Sequence, residues 1–489
     1  MGFEASNQEF KILCPNQTCE FHNEIPVQVV DEAMYLQPPS ILLAVVDKFA
    51  QLPRNPEIRK FLGGDPRYLA PTLLIQDELH MLGSALGTVF GVYEAAINSI
   101  IEILSGGIRP KIIASTATIR DSNRQIRNLF GRDCKVFPPP GLEHGNSFFG
   151  RVNPNTRGRL YIGVLSPNHT PSTSLIRVAA LLAQSAKHCS LTSNELDAYW
   201  TNIIYHNSLR LLGRTRNFAV DDIPDWLKIV SMNSKNARTI NDHEVDELTS
   251  NVKHYELPQK LERLFLPATD PESLSIVTAT NMISVGVDVP RLGLMTIYGQ
   301  PFSTSEYIQA SSRVGRQSSH PGLVVTHFSK TKIRDTSHYE TFHSFHQALY
   351  RFIEPTSVTP LALPARFRCL PAALIGTVRQ ACGLLNNDSA RDFDPNRADI
   401  HHAISVLESR LLATLDPEST DAQVQLKTLV DDWTARTKRQ GRSIYFDSRG
   451  QGHYSLICGI SNPKFGSWPC PTSFRNVDQN CYVDVQGWW

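Results

Sequence analysis

The sequence lacks the features that would place it in a specialised class of protein. No window approaches about 18 uninterrupted apolar residues, the length that a membrane-spanning helix requires. There is no glycine repeat, and 41% of the 489 residues are hydrophobic, which excludes collagen-like and disordered chains. The first residues, MGFEASNQEF, show neither the basic nor the apolar region of a signal peptide. A chain of this length and composition predicts two to four globular domains.

Cysteine is also scarce, and neither sign of charge dominates. The 9 Cys residues are mostly scattered singly, so they do not form a disulfide framework, and a cytoplasmic location is the simplest expectation. Lys and Arg number 48 against 47 Asp and Glu, a formal net charge of +1. Bulk charge therefore neither favours nor excludes nucleic acid, and any basic footprint must be local.

Short apolar runs that end in polar residues recur in the first part of the chain. Three of them are predicted to be buried strands, and a helical apolar pattern covers residues 86–104; the runs are 41–46, 72–76 and 111–114. Polar residues follow each run, beginning at Asp47, Asp77 and Ser115. Alternation of strands and helices with polar strand ends indicates an open parallel α/β sheet that binds its ligand at those ends.

A proline-rich break at residues 137–141 separates a second α/β block from the first. Its predicted strands are 159–164, 202–205, 274–280, 294–298 and 322–326. A helix is expected from about Ser303, where Ser303 and Glu306 form a capping box. Helices are predicted after residue 345, and short β elements in the last fifty residues. The expected division is an irregular segment 1–40, a partial α/β domain 41–145, a second α/β domain 146–345, and a C-terminal helical and small β extension 346–489.

Three groups of residues carry chemistry. Asp77-Glu78-Leu79-His80 follows a predicted strand, where the Asp can hold Mg²⁺ and the Glu can orient or deprotonate a water for nucleoside triphosphate hydrolysis. In the stretch 309–316, Gln309, Arg313 and Arg316 would share a helical face that suits a polyphosphate. Residues 280–290 break a strand into a glycine-containing turn with one Asp. Solvated acids and an exposed basic helix are the alternative readings of the first two groups.

The order of these groups is more specific than any one of them. The DExH-like box at 77–80, the Ser-Ala-Thr-like residues 115–118, the turn 280–290 and the Q-x-x-S-R-x-G-R of 309–316 resemble motifs II, III, V and VI of superfamily 2 helicases. Residues 202–208 resemble motif IV. The stretches 46–49, 75–80, 137–141, 306–310 and 350–360, with 468–477 near the end, are similar to the DrmA helicases of the bacterial DISARM anti-phage system.

The resemblance implies two RecA-like domains, the cofactors ATP and Mg²⁺, and DNA and other defence proteins as partners. It implies catalytic roles for Asp77, Glu78, Arg313 and Arg316. Nucleotide-binding residues would be these four with Gly286, Asp288 and Gln309, and Asp77 would hold Mg²⁺. The residues implied in coupling are His80, Ser115, Thr116 and Thr118. The residues implied in nucleic-acid binding are Asp47, Lys48, Thr280, Asn281, Ser208 and Arg210.

One element of the helicase pattern is missing. No G-x-x-x-x-G-K-[ST] sequence occurs, so neither the phosphate-binding loop nor the strand that carries it is present. Two hypotheses stay open: part of a helicase ATPase whose P-loop comes from an upstream segment or subunit, and a non-hydrolysing remnant that binds nucleic acid or docks on a complex. The chain alone is expected to be inactive. If the cleft forms, it should bring Asp77 and Glu78 opposite Arg313 and Arg316.

A zinc site is a weaker expectation. Cys14 and Cys19, with His22 nearby, offer half of the four ligands that a structural zinc ion requires. A missing upstream segment would have to supply the other pair. A stretch with no metal is an equally good interpretation of these residues.

Overall fold

The computed structural model describes most of the chain in two compact units. The described residues are 2–6, 10–116, 121–139, 141–142, 146–153, 155–231, 237–249, 251–253, 255–280, 288–317, 319–354, 357–440, 443–447 and 454–474. Unit 1 comprises Met1–Lys135 and Pro355–Trp489, and unit 2 comprises Val136–Glu354.

The elements follow one another in an order that alternates strands and helices through the middle of the chain. The strands are β1 (Gly2–Ala5), β2 (Phe10–Leu13), β3 (Leu73–Gln76), β4 (Lys111–Ala114), β5 (Leu160–Leu165), β6 (Asn202–His206), β7 (Val245–Leu248), β8 (Ile276–Ala279), β9 (Leu294–Tyr298), β10 (Leu323–Phe328), β11 (Ile444–Phe446), β12 (Ser455–Gly459) and β13 (Trp468–Cys470). The α-helices are α1 (Asp31–Leu36), α2 (Ile58–Phe61), α3 (Ser84–Leu104), α4 (Ser122–Phe130), α5 (Pro171–His188), α6 (Ser193–Trp200), α7 (Leu209–Val220), α8 (Asp222–Val230), α9 (Leu257–Phe265), α10 (Thr304–Ser311), α11 (Ile333–Glu340), α12 (Phe342–Gln347), α13 (Leu363–Ala381), α14 (Ala398–Leu412) and α15 (Ser419–Gln440).

Unit 2 is built on a six-stranded parallel sheet in the order β5-β10-β9-β6-β8-β7. Its inner strands are rich in apolar residues because both faces of the sheet are covered, and all five residues of β6 are buried. Helices α5 to α10 alternate with the strands. The second α/β block predicted from the sequence is therefore confirmed, with each predicted strand in place.

Unit 1 contains a two-stranded parallel sheet packed on a long buried helix. Strand β3 pairs with β4 in the register Leu73↔Lys111 to Gln76↔Ala114. Helix α3 is long and apolar enough to cross a membrane by length and composition, but 78% of its most apolar 18-residue window is buried inside the protein. It forms the centre of the core that unit 1 builds around it.

The C-terminal elements share that core. Helices α13, α14 and α15 and the parallel sheet β11-β12-β13 contribute buried side chains to the same cluster as α3, among them Leu370, Leu407 and Trp433. The segment after Pro355 thus returns to unit 1, whereas the sequence pattern had suggested a separate extension. Nothing in the local pattern of an apolar helix states which sheet it will pack against.

Two local expectations for the N-terminal part are wrong. The first 40 residues, expected to be irregular, contain the antiparallel hairpin β1-β2 and helix α1. The run 41–46, predicted to be a strand, forms none, and a 3₁₀ helix begins at Val46. Ile41 is 81% and Leu43 91% exposed, so the apolar residues of this run lack the neighbouring strand that would bury them.

The β3-β4 sheet has one covered face and one open face. Leu74, Ile112 and Ala114 point to the core of unit 1. On the other face Ile75 is 69% exposed, and its register partner Ile113 is 45% exposed. Because parallel sheets are normally covered on both sides, the first sheet is incomplete within the described residues. This agrees with the expectation of a partial first RecA-like domain.

We expect the open face to limit the solubility of the isolated chain. Replacing Ile75 and Ile113 together by Thr should raise the soluble monomeric fraction, because the exposed apolar area falls while β propensity is kept. Size-exclusion chromatography measures the result. The control Leu74→Thr, on the covered face, should instead lower the unfolding midpoint. A wild-type chain that is fully monodisperse, or a double variant no more soluble than wild type, would contradict this expectation.

Two histidines are buried in the unit 2 sheet, near the carboxyl ends of the two strands on either side of β9. His206 on β6 and His327 on β10 flank Tyr298 on β9, with ring centroids 5.4 Å and 5.5 Å from the Tyr298 ring. Their ring nitrogens have no hydrogen-bond partner among the described residues. Burial therefore disfavours the charged imidazole, lowering the pKa of His206 to about 3 and that of His327 to about 4.

These two histidines should make the chain sensitive to acid. Their folded-state pKa values lie below the ordinary value near 6.5, so the unfolded chain binds more protons as pH falls below that value, and stability is lost. Each should cost about 1.4 kcal/mol of unfolding free energy per pH unit in the range between its two pKa values. Urea unfolding of the full chain between pH 7 and pH 5 measures this slope. His206→Phe should lower the slope below pH 6.5 by about 1.4 kcal/mol per pH unit relative to wild type. His188→Gln, at an exposed position, should leave it unchanged.

Candidate functional site: two groups at strand ends

The residues after β3 and β4 form the first group of the candidate site, in unit 1. The ladder continues beyond the strands, because Ser115 N donates to Gln76 O over 2.9 Å and Leu79 N donates to Ser115 O over 2.9 Å. Asp77 Oδ1 accepts hydrogen bonds from Ser115 Oγ and, over 2.9 Å, from Glu78 N. The structure thus brings together the acidic residues of the first group and the residues predicted to couple to them.

His80 extends this connection. Its Nδ1 lies 3.3 Å from Thr116 Oγ1 and 3.3 Å from Glu78 Oε2. A proton on this nitrogen can therefore be shared with either oxygen, so the imidazole links the catalytic Glu candidate to the strand that follows. Thr118, predicted to act with Ser115 and Thr116, lies outside the described residues.

Glu78 has an unusual backbone conformation. Its φ of 50° and ψ of 49° place it in the left-handed region, which residues other than glycine rarely adopt. The side chain is 36% exposed. Non-glycine residues held in this region cluster at active sites, where surrounding contacts hold them in place. Here the hydrogen bonds on either side, from Glu78 N and from Leu79 N, hold the conformation.

The acids fit the cofactor that the helicase resemblance implies. Mg²⁺ prefers carboxylate and other oxygen ligands. Both hydrogen bonds to the Asp77 carboxylate within the described residues reach Oδ1. Oδ2 of this exposed side chain is therefore left for a cation, while Oδ1 fixes its direction.

The second group lies in unit 2, in the turn that follows α10. The sequence predicted that Gln309, Arg313 and Arg316 lie on one face of a helix. This prediction is wrong for the two arginines. Helix α10 ends at Ser311, so only Gln309 of the three is helical. The chain turns at Gly315, whose φ is +64° and where a Cβ would lie 2.3 Å from Gly322 Cα. No side chain fits there, and the helix gives way to a tight turn.

The turn presents its second arginine to the acid of the 280–290 segment. Arg316 Nη1 lies 2.6 Å from Asp288 Oδ1, and Arg316 Nε donates to Ser312 O over 3.1 Å. Asp288 and Arg316, which were both predicted to bind the nucleotide, are thus in contact. Gly286 and Asn281, from the same predicted segment, lie outside the described residues.

Arg159 is a positioning residue that the sequence analysis missed. It directly precedes the edge strand β5, and its Nε donates to Val314 O over 2.8 Å while Nη2 donates to Ser312 O over 3.0 Å. Two carbonyl groups on the inner side of the arginine turn are thereby tied to the sheet. The only sequence signal was a basic residue at the entrance to a strand, which does not by itself indicate a positioning role.

The residues predicted to bind nucleic acid fall into two sets. In unit 2, Ser208 is the N-cap of α7 and accepts no side-chain cap bond, Arg210 is exposed, and Thr280 N donates to Leu248 O over 3.3 Å. In unit 1, Asp47 Oδ1 accepts from Ser473 Oγ and Phe474 N, and Lys48 pairs with Asp31 at 2.6 Å. Asp47 and Lys48 therefore have structural partners, and their nucleic-acid role stays a prediction.

The zinc expectation gains no support. Cys14 N donates to Phe21 O, and His22 Nδ1 donates to Cys14 O over 2.9 Å, which makes a compact turn. Across the part of the chain that the structure describes, no three His, Cys, Asp or Glu residues are grouped to hold a metal ion. The opposition of Asp77 and Glu78 to Arg313 and Arg316 also stays a prediction.

Comparisons with known proteins agree with this arrangement. The profile of the family described as "Helicase conserved C-terminal domain" matches residues 227–318. The DISARM protein DrmA of Bacillus paralicheniformis is 35% identical over 98% of this chain and 47% of its own length. The chain thus spans about half the length of this curated relative.

Solved helicase structures have the same fold. The helicase MrfA bound to DNA matches with a TM-score of 0.52 and 14% identity, covering 71% of this chain and 42% of MrfA. The Mycobacterium smegmatis helicase Lhr bound to ssDNA and AMP-PNP matches with a TM-score of 0.52 and 16% identity, covering 82% of this chain and 42% of Lhr. The chain thus has the fold of these helicase structures and is similar, over 98% of its length, to the DISARM protein DrmA.

Proposed function

We propose that this chain is the part of a DNA-directed superfamily 2 motor that organises ATP hydrolysis, and that another polypeptide segment supplies its P-loop. The observation that carries the proposal is the hydrogen bond from Ser115 to Asp77, which joins the acidic strand end to the neighbouring one. A carboxylate fixed in this way is suited to hold a cation at the reacting phosphate.

The residues of the chain would have separate roles. Bound Mg²⁺-ATP supplies the phosphoryl group and the cation that neutralises its charge. Asp77 would hold the Mg²⁺, and Glu78 would orient the attacking water and accept its proton. Arg313 and Arg316 would stabilise the charge of phosphoryl transfer, and Gln309 would contact the nucleotide.

We propose that Arg316 pairs with Asp288 when no nucleotide is bound. Asp288 is 63% exposed, so the pair is weak and readily exchanged. A polyphosphate offers more negative charge and better geometry for a guanidinium than a single exposed carboxylate does. In our proposal nucleotide binding therefore draws Arg316 from Asp288 to a phosphate.

The open face of the β3-β4 sheet supports the proposal that another polypeptide segment carries the P-loop. The chain spans 47% of DrmA, and the sequence contains no P-loop. A P-loop strand and its helix would cover Ile75 and Ile113 and complete the sheet. We infer that this segment belongs to the remaining part of the helicase, whether fused or separate, and that the motor acts in the cytoplasm with other defence proteins.

We infer that the motor acts on DNA from the proteins that this chain resembles. MrfA and Lhr were solved with DNA, and DrmA is a DISARM protein. The competing function is a non-hydrolysing module that binds nucleic acid or docks on a defence complex, which the missing P-loop favours. Both functions share the nucleic-acid surface and differ in turnover.

Reconstitution separates these two functions. The chain alone should show no DNA-stimulated ATPase activity, because the main phosphate-positioning contacts are absent. Activity should appear on adding the P-loop-bearing polypeptide encoded directly upstream or, where none exists, the part of DrmA that this chain does not match. Phosphate release measures the rate.

Variants of the reconstituted complex then test the roles. Glu78→Gln should abolish turnover while ATP binding is kept, and Arg316→Ala should lower turnover by roughly 10³-fold, as loss of an arginine finger does. Asp288→Asn should leave maximal turnover nearly intact. Turnover by the lone chain would reveal an unrecognised phosphate loop. No turnover in any complex would favour the non-hydrolysing module.

Arg159 gives an independent test of the arginine turn. In the active complex Arg159→Ala should lower kcat at least about tenfold, since a displacement of the catalytic group by about 1 Å can cost as much as 10²-fold. The KM for ATP should change less than kcat, and Arg159→Lys should restore part of the rate. Arg157→Ala, two positions earlier and exposed, is the matched control. Equal losses in both variants would deny Arg159 its positioning role.

A further inference from the structure

An exposed aromatic ring stands at the carboxyl edge of the unit 2 sheet. Phe302 lies between β9 and α10, and its side chain is 72% exposed. The guanidinium carbon of Arg334 lies 4.3 Å from the centre of the Phe302 ring. One part of the ring therefore contacts a cation, while most of its surface faces solvent.

The backbone that carries Phe302 is held from both sides. Asn207 Nδ2 donates to Gln300 O over 3.0 Å, which ties the turn to the end of β6. The fully buried Asp335 accepts from Gln300 N through Oδ1 and from Ser329 N through Oδ2, which ties it to the end of β10. Gly299 enters the turn with φ +82°. A ring on such a backbone is preorganised to receive a ligand.

Phe302 does not stabilise the helix that follows it. Ser303 is the N-cap of α10 and accepts from Glu306 N over 3.2 Å. A hydrophobic residue before the N-cap commonly packs on the fourth helical residue, which here is Tyr307. Tyr307 is completely buried and Phe302 largely exposed, so this packing is not made. The contact with Arg334 is therefore not accompanied by a packing role of Phe302 at the start of α10.

The surroundings of the ring are basic. Lys332 is exposed and lies with Arg334 within the first six positions after β10, whereas Lys330 in the same stretch donates through Nζ to Pro167 O. The nearby carboxylates are engaged: Asp335 is buried, and Glu354 accepts from Thr304 N over 2.9 Å. The chain as a whole has a net charge of only +1, so this concentration of positive charge is a local feature.

The position in the sheet relates the ring to the predicted nucleic-acid residues. Strands β10, β9, β6 and β8 are consecutive neighbours and parallel, so their carboxyl ends share one edge at about 4.8 Å per strand. Phe302 follows β9, Ser208 and Arg210 follow β6, and Thr280 follows β8. The ring is therefore one strand away from Ser208.

We propose that Phe302, backed by Arg334, is a stacking platform for a base of single-stranded nucleic acid, with Lys332 near the phosphates. The proposal rests on the proposed function and adds a contact that binds unpaired bases of any sequence. Base stacking on an exposed aromatic residue tolerates any sequence, and a neighbouring cation adds a cation–π contribution. A duplex, whose bases are already stacked, would not use this platform.

The test measures the affinity of the full chain for a labelled single-stranded oligodeoxynucleotide at fixed salt. Phe302→Ala and Phe302→Leu should each weaken binding about tenfold or more, because Leu keeps apolar bulk but cannot stack. Phe302→Trp should bind at least as tightly as wild type, and DNA should quench its added fluorescence. Phe265→Ala, at another exposed phenylalanine of unit 2, is the matched control and should change nothing.

The same measurements with an abasic oligonucleotide identify stacking. Wild type and Phe302→Ala should then bind with equal affinity, because an abasic oligonucleotide has no base that could stack on the Phe302 ring. Lys332→Gln should weaken binding to both oligonucleotides and reduce the salt dependence by about one counterion.

Three outcomes would overturn the platform. The first is wild-type affinity in Phe302→Ala. The second is an equal loss on abasic DNA. The third is a loss confined to binding of the P-loop-bearing polypeptide, which would assign the ring to a protein contact. A wild-type chain with no affinity for any oligonucleotide would refute the nucleic-acid function as well, so the two failures are distinguishable.

Discussion

Parallel strand pairing is the constraint on which the rest of this structure depends. Parallel neighbours require a crossover between them, so their carboxyl ends, and the loops that follow, lie at one edge. In unit 1 this pairing brings Asp77 and Ser115 into hydrogen-bond contact although they are 38 positions apart. In unit 2 it aligns the segments that begin at Ser208, Thr280 and Phe302. The candidate site is thus a consequence of strand register before any side-chain chemistry is considered.

The sequence predicted this arrangement where burial and pattern agree. Strands of unit 2 such as β6 are covered on both faces, so a short apolar stretch such as Ile203-Ile204-Tyr205 identifies them directly. The prediction failed at residues 41–46, where the same pattern occurs but Leu43 is 91% exposed. An apolar run indicates that its side chains favour burial, but it does not indicate which segment of the protein will cover them. The exposed side chain of Ile75, on the open face of the β3-β4 sheet, likewise lacks a segment that covers it within the described residues.

Contacts between distant segments were beyond reach of sequence patterns. The helical spacing of Gln309, Arg313 and Arg316 was a local argument, and the close approach of Gly315 to Gly322 ended the helix first. Arg159 is recognisable as a positioning residue only when its two carbonyl acceptors are known. The order of the motifs still indicated where to place the candidate site, because motif order follows from topology and does not depend on each local geometry.

The conformation of Glu78 bears on whether the chain is a working part of a motor or a remnant. Holding a non-glycine residue in the left-handed region costs about 1–3 kcal/mol, which other contacts must offset. The contacts that do so come from Asp77 and Ser115, both within this chain, and none requires a P-loop. The carboxylate to which we assign water orientation is therefore held in this conformation independently of the phosphate-binding segment. A module that never hydrolysed ATP would gain stability by relaxing this residue, for example by Glu78→Gly, at no functional cost. The strained glutamate beside a fixed aspartate is therefore the reason that we propose a split catalytic site in preference to a non-hydrolysing remnant.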